Sequence, residues 1–233
     1  DFPTMFGDMN TLIDGGKVDG VYAIFGPAPT PSGFGYQLNI VKYYKESAPP
    51  NDLDLLAHLH YFSPQLTTTN YTNFNYDTLV DQQLAQTPIN SLAHVWGDLF
   101  LPASQTSAFV QSSLASITAA DLGLVGFILL FPVKNLFPKA IAFRLPSEET
   151  VFLFDVLTSG TIGDANYATT ETLKVRARFE AARAVGGTLY PIGSTPMSKA
   201  DWARQYGPLY PLLRAAKKFF DPANILTPGP GIF

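Results

Sequence analysis

Two short apolar runs, Leu124 to Phe131 (LVGFILLF) and Val151 to Leu157 (VFLFDVL), constrain the fold of this chain more than any other feature. The first is too short for a helix of any length, and both are rich in β-branched and aromatic residues, as buried strands are. Val18 to Phe25, Tyr36 to Tyr44 and Gly97 to Pro102 read as further strands, and Leu189-Tyr190 as a short one. A Pro/Gly-rich link beginning Gly26-Pro27-Ala28-Pro29 joins the first two of these and predicts an antiparallel hairpin. Within Tyr36 to Tyr44, Leu38, Ile40 and Lys42 share one face, and Gln37, Asn39, Val41 and Tyr43 the other.

Helical spacing runs from Asp52 to His60 through Leu55, Leu56 and Leu59, and again from Tyr76 to Leu84. Ser104 is a candidate cap for a helix through Ile117, with Phe109, Leu114 and Ile117 inward. Thr169 to Val185 predicts a long helix with Val175, Phe179, Ala182 and Val185 as its apolar stripe, ended by Gly186-Gly187. Ser198 opens another helix with Trp202 inward, and one more runs to Phe220. Strands and helices mix without a βαβ rhythm. The expected class is therefore α+β: one large, mainly antiparallel sheet flanked by helices, with those around Leu55, Phe109 and Phe179 covering one face.

Composition narrows the function. With 46% hydrophobic and 15% charged residues, 18 Phe and 11 Tyr among 233 residues, the chain has the material for a sizeable core. The net charge is −4 and there is no Lys/Arg run, so the electrostatic footprint of a nucleic-acid binder is missing. The run from Leu122 to Val133 is too short to span a membrane. Without cysteine there is no disulfide, thiolate nucleophile or Cys-type zinc site, and the compartment stays open. His58 and His60 are two residues apart and would point to different faces of a helix, so no metal site is expected. Asp1-Phe2-Pro3 reads as the interior of a longer chain.

Few residues suggest chemistry on their own. His94-Val95-Trp96-Gly97-Asp98 could place a ring and a carboxylate in a pocket, although Trp96 as core filler is the better reading from the residues alone. Glu148-Glu149, in a loop before a strand, read as solvated. Neither a Gly-rich phosphate loop nor Gly-x-Ser-x-Gly is present. Asp221-Pro222-Ala223-Asn224-Ile225-Leu226, followed by Pro228-Gly229, is a helix stop with no evident chemical task.

That last stretch nonetheless resembles the C-terminus of FAD-linked oxidases of the vanillyl-alcohol-oxidase superfamily. Tyr190-Pro191-Ile192-Gly193, Asp201-Trp202, Tyr206-Gly207, the segment from His94 to Ser104, Phe131-Pro132 and Ser147-Glu148-Glu149 narrow the resemblance to the C-terminal part of cytokinin dehydrogenases. The resemblance implies that residues 1–189 form a substrate-binding domain. Residues 190–233 would then be the returning tail of an FAD domain whose N-terminal part lies outside this chain. It also implies FAD as cofactor, a small-molecule substrate, and hydride transfer to flavin from a C–H beside N or O. The catalytic Asp and the flavin-attaching residue would lie upstream, so no catalytic residue is expected here.

Carried over by motif, Trp96, Asp98, Pro132, Tyr190 and Pro191 correspond to substrate-binding positions, and Tyr190 and Gly229 to positions beside the cofactor. Two departures affect the substrate. Where the family has a Glu near the pocket mouth, this chain offers Gln82, Gln83, Gln86 or Thr87, and the family's Asn has become Asp98. A sugar, polyol or aromatic alcohol is therefore the alternative to a cytokinin-like amine, and a non-catalytic binding domain the alternative to an enzyme.

Overall fold

The computed structural model describes residues 1–62, 66–70, 82, 84–135, 143–226 and 228–233. Its centre is a six-stranded sheet made of β1 (Gly20–Pro27), β2 (Phe34–Val41), β3 (Trp96–Pro102), β4 (Phe127–Lys134), β5 (Thr150–Leu157) and β6 (Thr188–Leu189). The spatial order is β2-β1-β4-β5-β3-β6 and every adjacent pair is antiparallel, with β1 and β2 forming the expected hairpin.

The pleat assigns alternate residues to opposite faces. Phe152, Phe154 and Val156 of β5 share one face with Val21, Ala23, Phe25, Leu99, Leu101, Ile128 and Leu130, all buried in a single core. Three helices cover that face: α1 (Phe2–Gly15), α3 (Ala103–Leu114) and α5 (Ala165–Ala184). Phe6 lies 5.1 Å from Phe152, and Phe109 meets Phe154 edge-on at 6.0 Å. Helix α5 comes close because residue 97 is glycine: a Cβ there would stand 3.0 Å from Val175 Cγ1.

Several details depart from the sequence reading. Helix α1 was not anticipated, although Phe2, Met5, Phe6, Met9 and Leu12 have helical spacing and Asp1 caps it, accepting from Thr4 N at 2.9 Å. Helix α2 (Asp52–Leu56) is shorter than expected and buries none of its residues, so it does not cover the sheet; only Leu59 beyond it reaches the core. Strand β4 begins at Phe127 and Leu124 is exposed, because the chain first turns around Ser159. There Ser159 N donates to Leu122 O and Ser159 Oγ accepts from Val125 N. A side chain at Gly126 would strike the carbonyls of Leu122 and Leu157. The helix expected from Tyr76 to Leu84 lies outside the described residues apart from Gln82 and Leu84.

Ser104 does not cap α3 with its own side chain. Glu148 does so from across the fold, accepting from Ser104 N at 3.0 Å and Ser104 Oγ at 2.5 Å. After the short α4 (Ala119–Leu122) and the long α5, the chain adds β6 and then α6 (Lys199–Tyr206), which Ser198 and Asp201 open with a reciprocal capping box. Asp201 also binds Arg176 and Arg183 of α5, and these guanidinium hydrogen bonds hold its carboxyl well below the usual carboxylate range. Trp202 donates to Pro230 O, and Tyr210, at the start of α7 (Tyr210–Phe220), donates to Ile232 O. The last residues are thus pinned onto the helices before them.

Candidate functional site

The second face of the sheet carries Tyr22, Ile24, Phe127, Leu129, Phe131 and Leu153, all only half-buried. Pairing arranges its side chains in ranks. One rank runs Gln37, Ile24, Leu129, Asp155, Asp98 across five strands. The next runs Asn39, Tyr22, Phe131, Leu153, Phe100, with Tyr22 and Phe131 stacked at 5.4 Å. The face is therefore broad and apolar, with two carboxyl groups set side by side at one end.

Beyond β6 the chain continues along β3. Tyr190 N donates to Asp98 O at 3.0 Å and Ser194 N to Trp96 O at 2.7 Å. Tyr190 packs on Phe100 at 5.3 Å and meets Phe143 edge-on at 5.5 Å. Gly193 rests on Asp98: a Cβ at residue 193 would lie 2.1 Å from Asp98 Oδ2 and 2.6 Å from Trp96 O. Only glycine permits this approach.

Trp96, Asp98 and Tyr190 are thus neighbours, with Pro191 next in the chain. Trp96 is half-buried, donates to Thr158 O at 3.2 Å and packs on His94 at 5.1 Å. Pro132 does not join them. It pairs with Phe152, whose side chain faces the helices, whereas Asp98 pairs with Asp155 on the open face. Pro132, carried over as a substrate-binding position, thus lies on the face away from Asp98, and Leu129 and Phe131 occupy the open face in its place. Gly229 lies in the exposed tail, with nothing within 4 Å of a side chain built there. Gln82, Gln86 and Thr87 are exposed, and Gln83 lies outside the described residues.

Asp155 escaped the sequence reading, although an acid inside VFLFDVL is a signal in itself. Asp98 and Asp155 are 1% and 5% exposed, and Asp98 Oδ2 and Asp155 Oδ1 have no hydrogen-bond partner. Directly opposed like charges destabilise a sheet. At about 4 Å and an effective dielectric of about 20, two negative charges repel by about 4 kcal/mol. Burial pushes the Asp98 carboxyl up to about 6, a hydrogen bond with Asp155 partly opposing the rise. Burial, reinforced by the charge of Asp98, pushes Asp155 further, to about 9.

Over residues 28–233 the sequence matches the family described as cytokinin dehydrogenase 1, FAD and cytokinin binding. The chain belongs to that family. Among its curated relatives, an uncharacterised oxidoreductase from the fasciation locus of Rhodococcoides fascians is 31% identical over 199 residues, covering 83% of this chain and 44% of the relative. Cytokinin dehydrogenase 1 of Oryza sativa subsp. japonica is 23% identical over 211 residues, 85% of this chain and 39% of that protein. In fold, the chain is similar to 6-hydroxy-D-nicotine oxidase of Arthrobacter nicotinovorans, with a TM-score of 0.55 at 18% identity, over 96% of this chain and 50% of that one. The chain thus spans half or less of the length of these proteins.

Proposed function

We propose that the protein to which this chain belongs is an FAD-dependent oxidoreductase, and that this chain supplies its substrate-binding portion. The observation that carries the reading is the open face: largely apolar and half-buried at its centre, with the Asp98–Asp155 carboxyl pair at one end. Tyr22, Leu129, Phe131 and Leu153 suit one side of a planar aromatic ring, and Trp96, Asp98, Tyr190 and Pro191 form the wall beside it. When bound, FAD supplies the acceptor for a hydride leaving a substrate C–H next to nitrogen or oxygen. This chain's own residues shape the pocket, exclude water and orient the substrate.

Residues 1–189 are the substrate domain in this reading, and residues 190–233 return to the FAD domain, with Tyr190 and Gly229 toward the cofactor. The exposed Phe219, Phe220, Ile225 and Leu226 support it, since large apolar side chains left exposed here are ones that a further part of the protein would bury. Asp98, where the family has Asn, favours a substrate that brings an N–H or O–H donor. A cytokinin-like amine fits that condition, as does a sugar, polyol or aromatic alcohol.

The longer protein, purified, is expected to be yellow with flavin absorbance, and to bleach without oxygen when its amine or alcohol substrate is added. A colourless protein, or one that no donor of either class bleaches, would sink the proposal and favour a non-catalytic binding domain.

A further inference from the structure

The open face holds a feature that substrate binding alone does not require. Asp98 and Asp155 are opposed residues of the adjacent strands β3 and β5, both buried, each with one oxygen lacking a partner. Among the described residues, none places a compensating cation beside them. Trp96 and Phe100 flank Asp98 along β3, Leu153 and Leu157 flank Asp155 along β5, and Leu129 is the neighbour on β4. The segment over Asp98 contributes Gly193 and the backbone N–H of Tyr190, whose ring packs on Phe100. Arg178 of α5 lies near Gly97, on the opposite face of the sheet. Two carboxylates cannot both stay ionised there, and two neutral carboxyls would leave the inner hydrogen bond without its charge assistance.

We infer that Asp98 and Asp155 hold a single proton between them, with Asp155 the positioning residue that fixes Asp98 beneath Gly193. Asp155 keeps the proton and donates it to one oxygen of Asp98. The other oxygen of Asp98 is thereby aimed at residues 190–194, where the chain leaves the sheet. One negative charge, rather than two or none, then sits at the end of the open face. The shared proton is a property of this chain and stands apart from the flavin reading; only its bearing on substrate rests on that reading.

Carbon-13 spectra of the aspartate-labelled chain test the proton without any substitution. One carboxyl resonance that titrates well above the other aspartates is expected. If every aspartate titrates in the ordinary carboxylate range, the inference is overturned. The positioning role is read at the Gly193 amide, whose nitrogen shift is expected to follow the pair's titration. That response should disappear in Asp155→Asn and return in Asp155→Glu. A Gly193 signal that ignores the titration of the pair, or that responds equally in Asp155→Asn, removes the positioning role. None of these readouts needs flavin, so a colourless longer protein would refute the proposed function while leaving the shared proton to stand or fall by itself.

Discussion

Gly193 is seated on Asp98 so closely that a Cβ at residue 193 would stand 2.1 Å from Asp98 Oδ2. The carboxylate tip could move, but the same Cβ would also stand 2.6 Å from the backbone carbonyl of Trp96. That carbonyl accepts from Ser194 N, so relief costs a hydrogen bond. Gly193→Ala is expected to destabilise the chain by roughly 1–3 kcal/mol, as overpacking does. Gly26→Ala, in strand β1 with open space around its Cβ, is the control and should stay within about 1 kcal/mol of the parent. Urea unfolding of both variants checks this, and equal costs would contradict the close approach.

The Glu148 carboxylate ties the loop before β5 to the N-terminus of α3 through Ser104. Those hydrogen bonds hold Glu148 below its usual carboxylate value, so their contribution is present at neutral pH and fades as the pH falls toward the acid range. Glu148→Gln and Ser104→Ala should each cost about 1 kcal/mol, the scale of a helix cap. The double variant should cost clearly less than the sum, because both remove one interaction. Additive losses in thermal melts would show the two residues acting independently.

The acidic pair gives stability an unusual pH dependence. The folded-state values of Asp98 and Asp155 lie above the ordinary 3.8, so the folded chain holds more protons than the unfolded chain from there to about pH 9. Their effect is a loss of stability as the pH rises through that window, at up to about 1.4 kcal/mol per pH unit for each proton. Asp155→Asn removes the part due to Asp155. Melting temperatures of parent and variant should therefore diverge in favour of the variant between pH 5 and pH 9. A difference that does not change with pH would count against the assignment.

Asp98→Asn in the longer protein should alter substrate preference while leaving flavin content near that of the parent. A buried carboxylate left without a donor costs of order 1–3 kcal/mol, so it selects against partners that bring none. Kinetics on an amine and on a size-matched substrate without N–H or O–H groups check the point. Loss of flavin together with uniform loss of activity would mean a structural role instead.

Taken alone, this chain should not bind FAD tightly. The N-terminal amides of its longest helix are occupied, because Asp164 accepts from Asn166 N and Tyr167 N, which makes that end unsuited to a pyrophosphate. Calorimetric titration with FAD should show no complex of micromolar affinity, about −8 kcal/mol. A stoichiometric complex of that strength would place the cofactor site within these 233 residues.

What the amino-acid order determined by itself was local. Apolar runs such as VFLFDVL could only be buried strands, the stripe Val175, Phe179, Ala182 made a helix face, and Ser198 with Asp201 made a helix start. The motif from His94 to Ser104 set Trp96 two residues before Asp98, but the sequence reading starts the strand at Gly97; because β3 begins at Trp96, the two residues share a face. Register was different. Whether Pro132 shared that face depended on how β4 paired with β5, and a shift of one residue reverses every side chain. Partnership across the sheet was equally hidden: Asp155 is 57 positions from Asp98, and only the pairing of β3 with β5 sets one carboxyl against the other. Glu148, which read as solvated, became a helix cap only when the fold brought α3 to it. Periodicity is written into neighbouring residues, whereas register, opposed charges and the seat of Gly193 arise from the packing of segments distant in sequence, and the tertiary structure alone decided them.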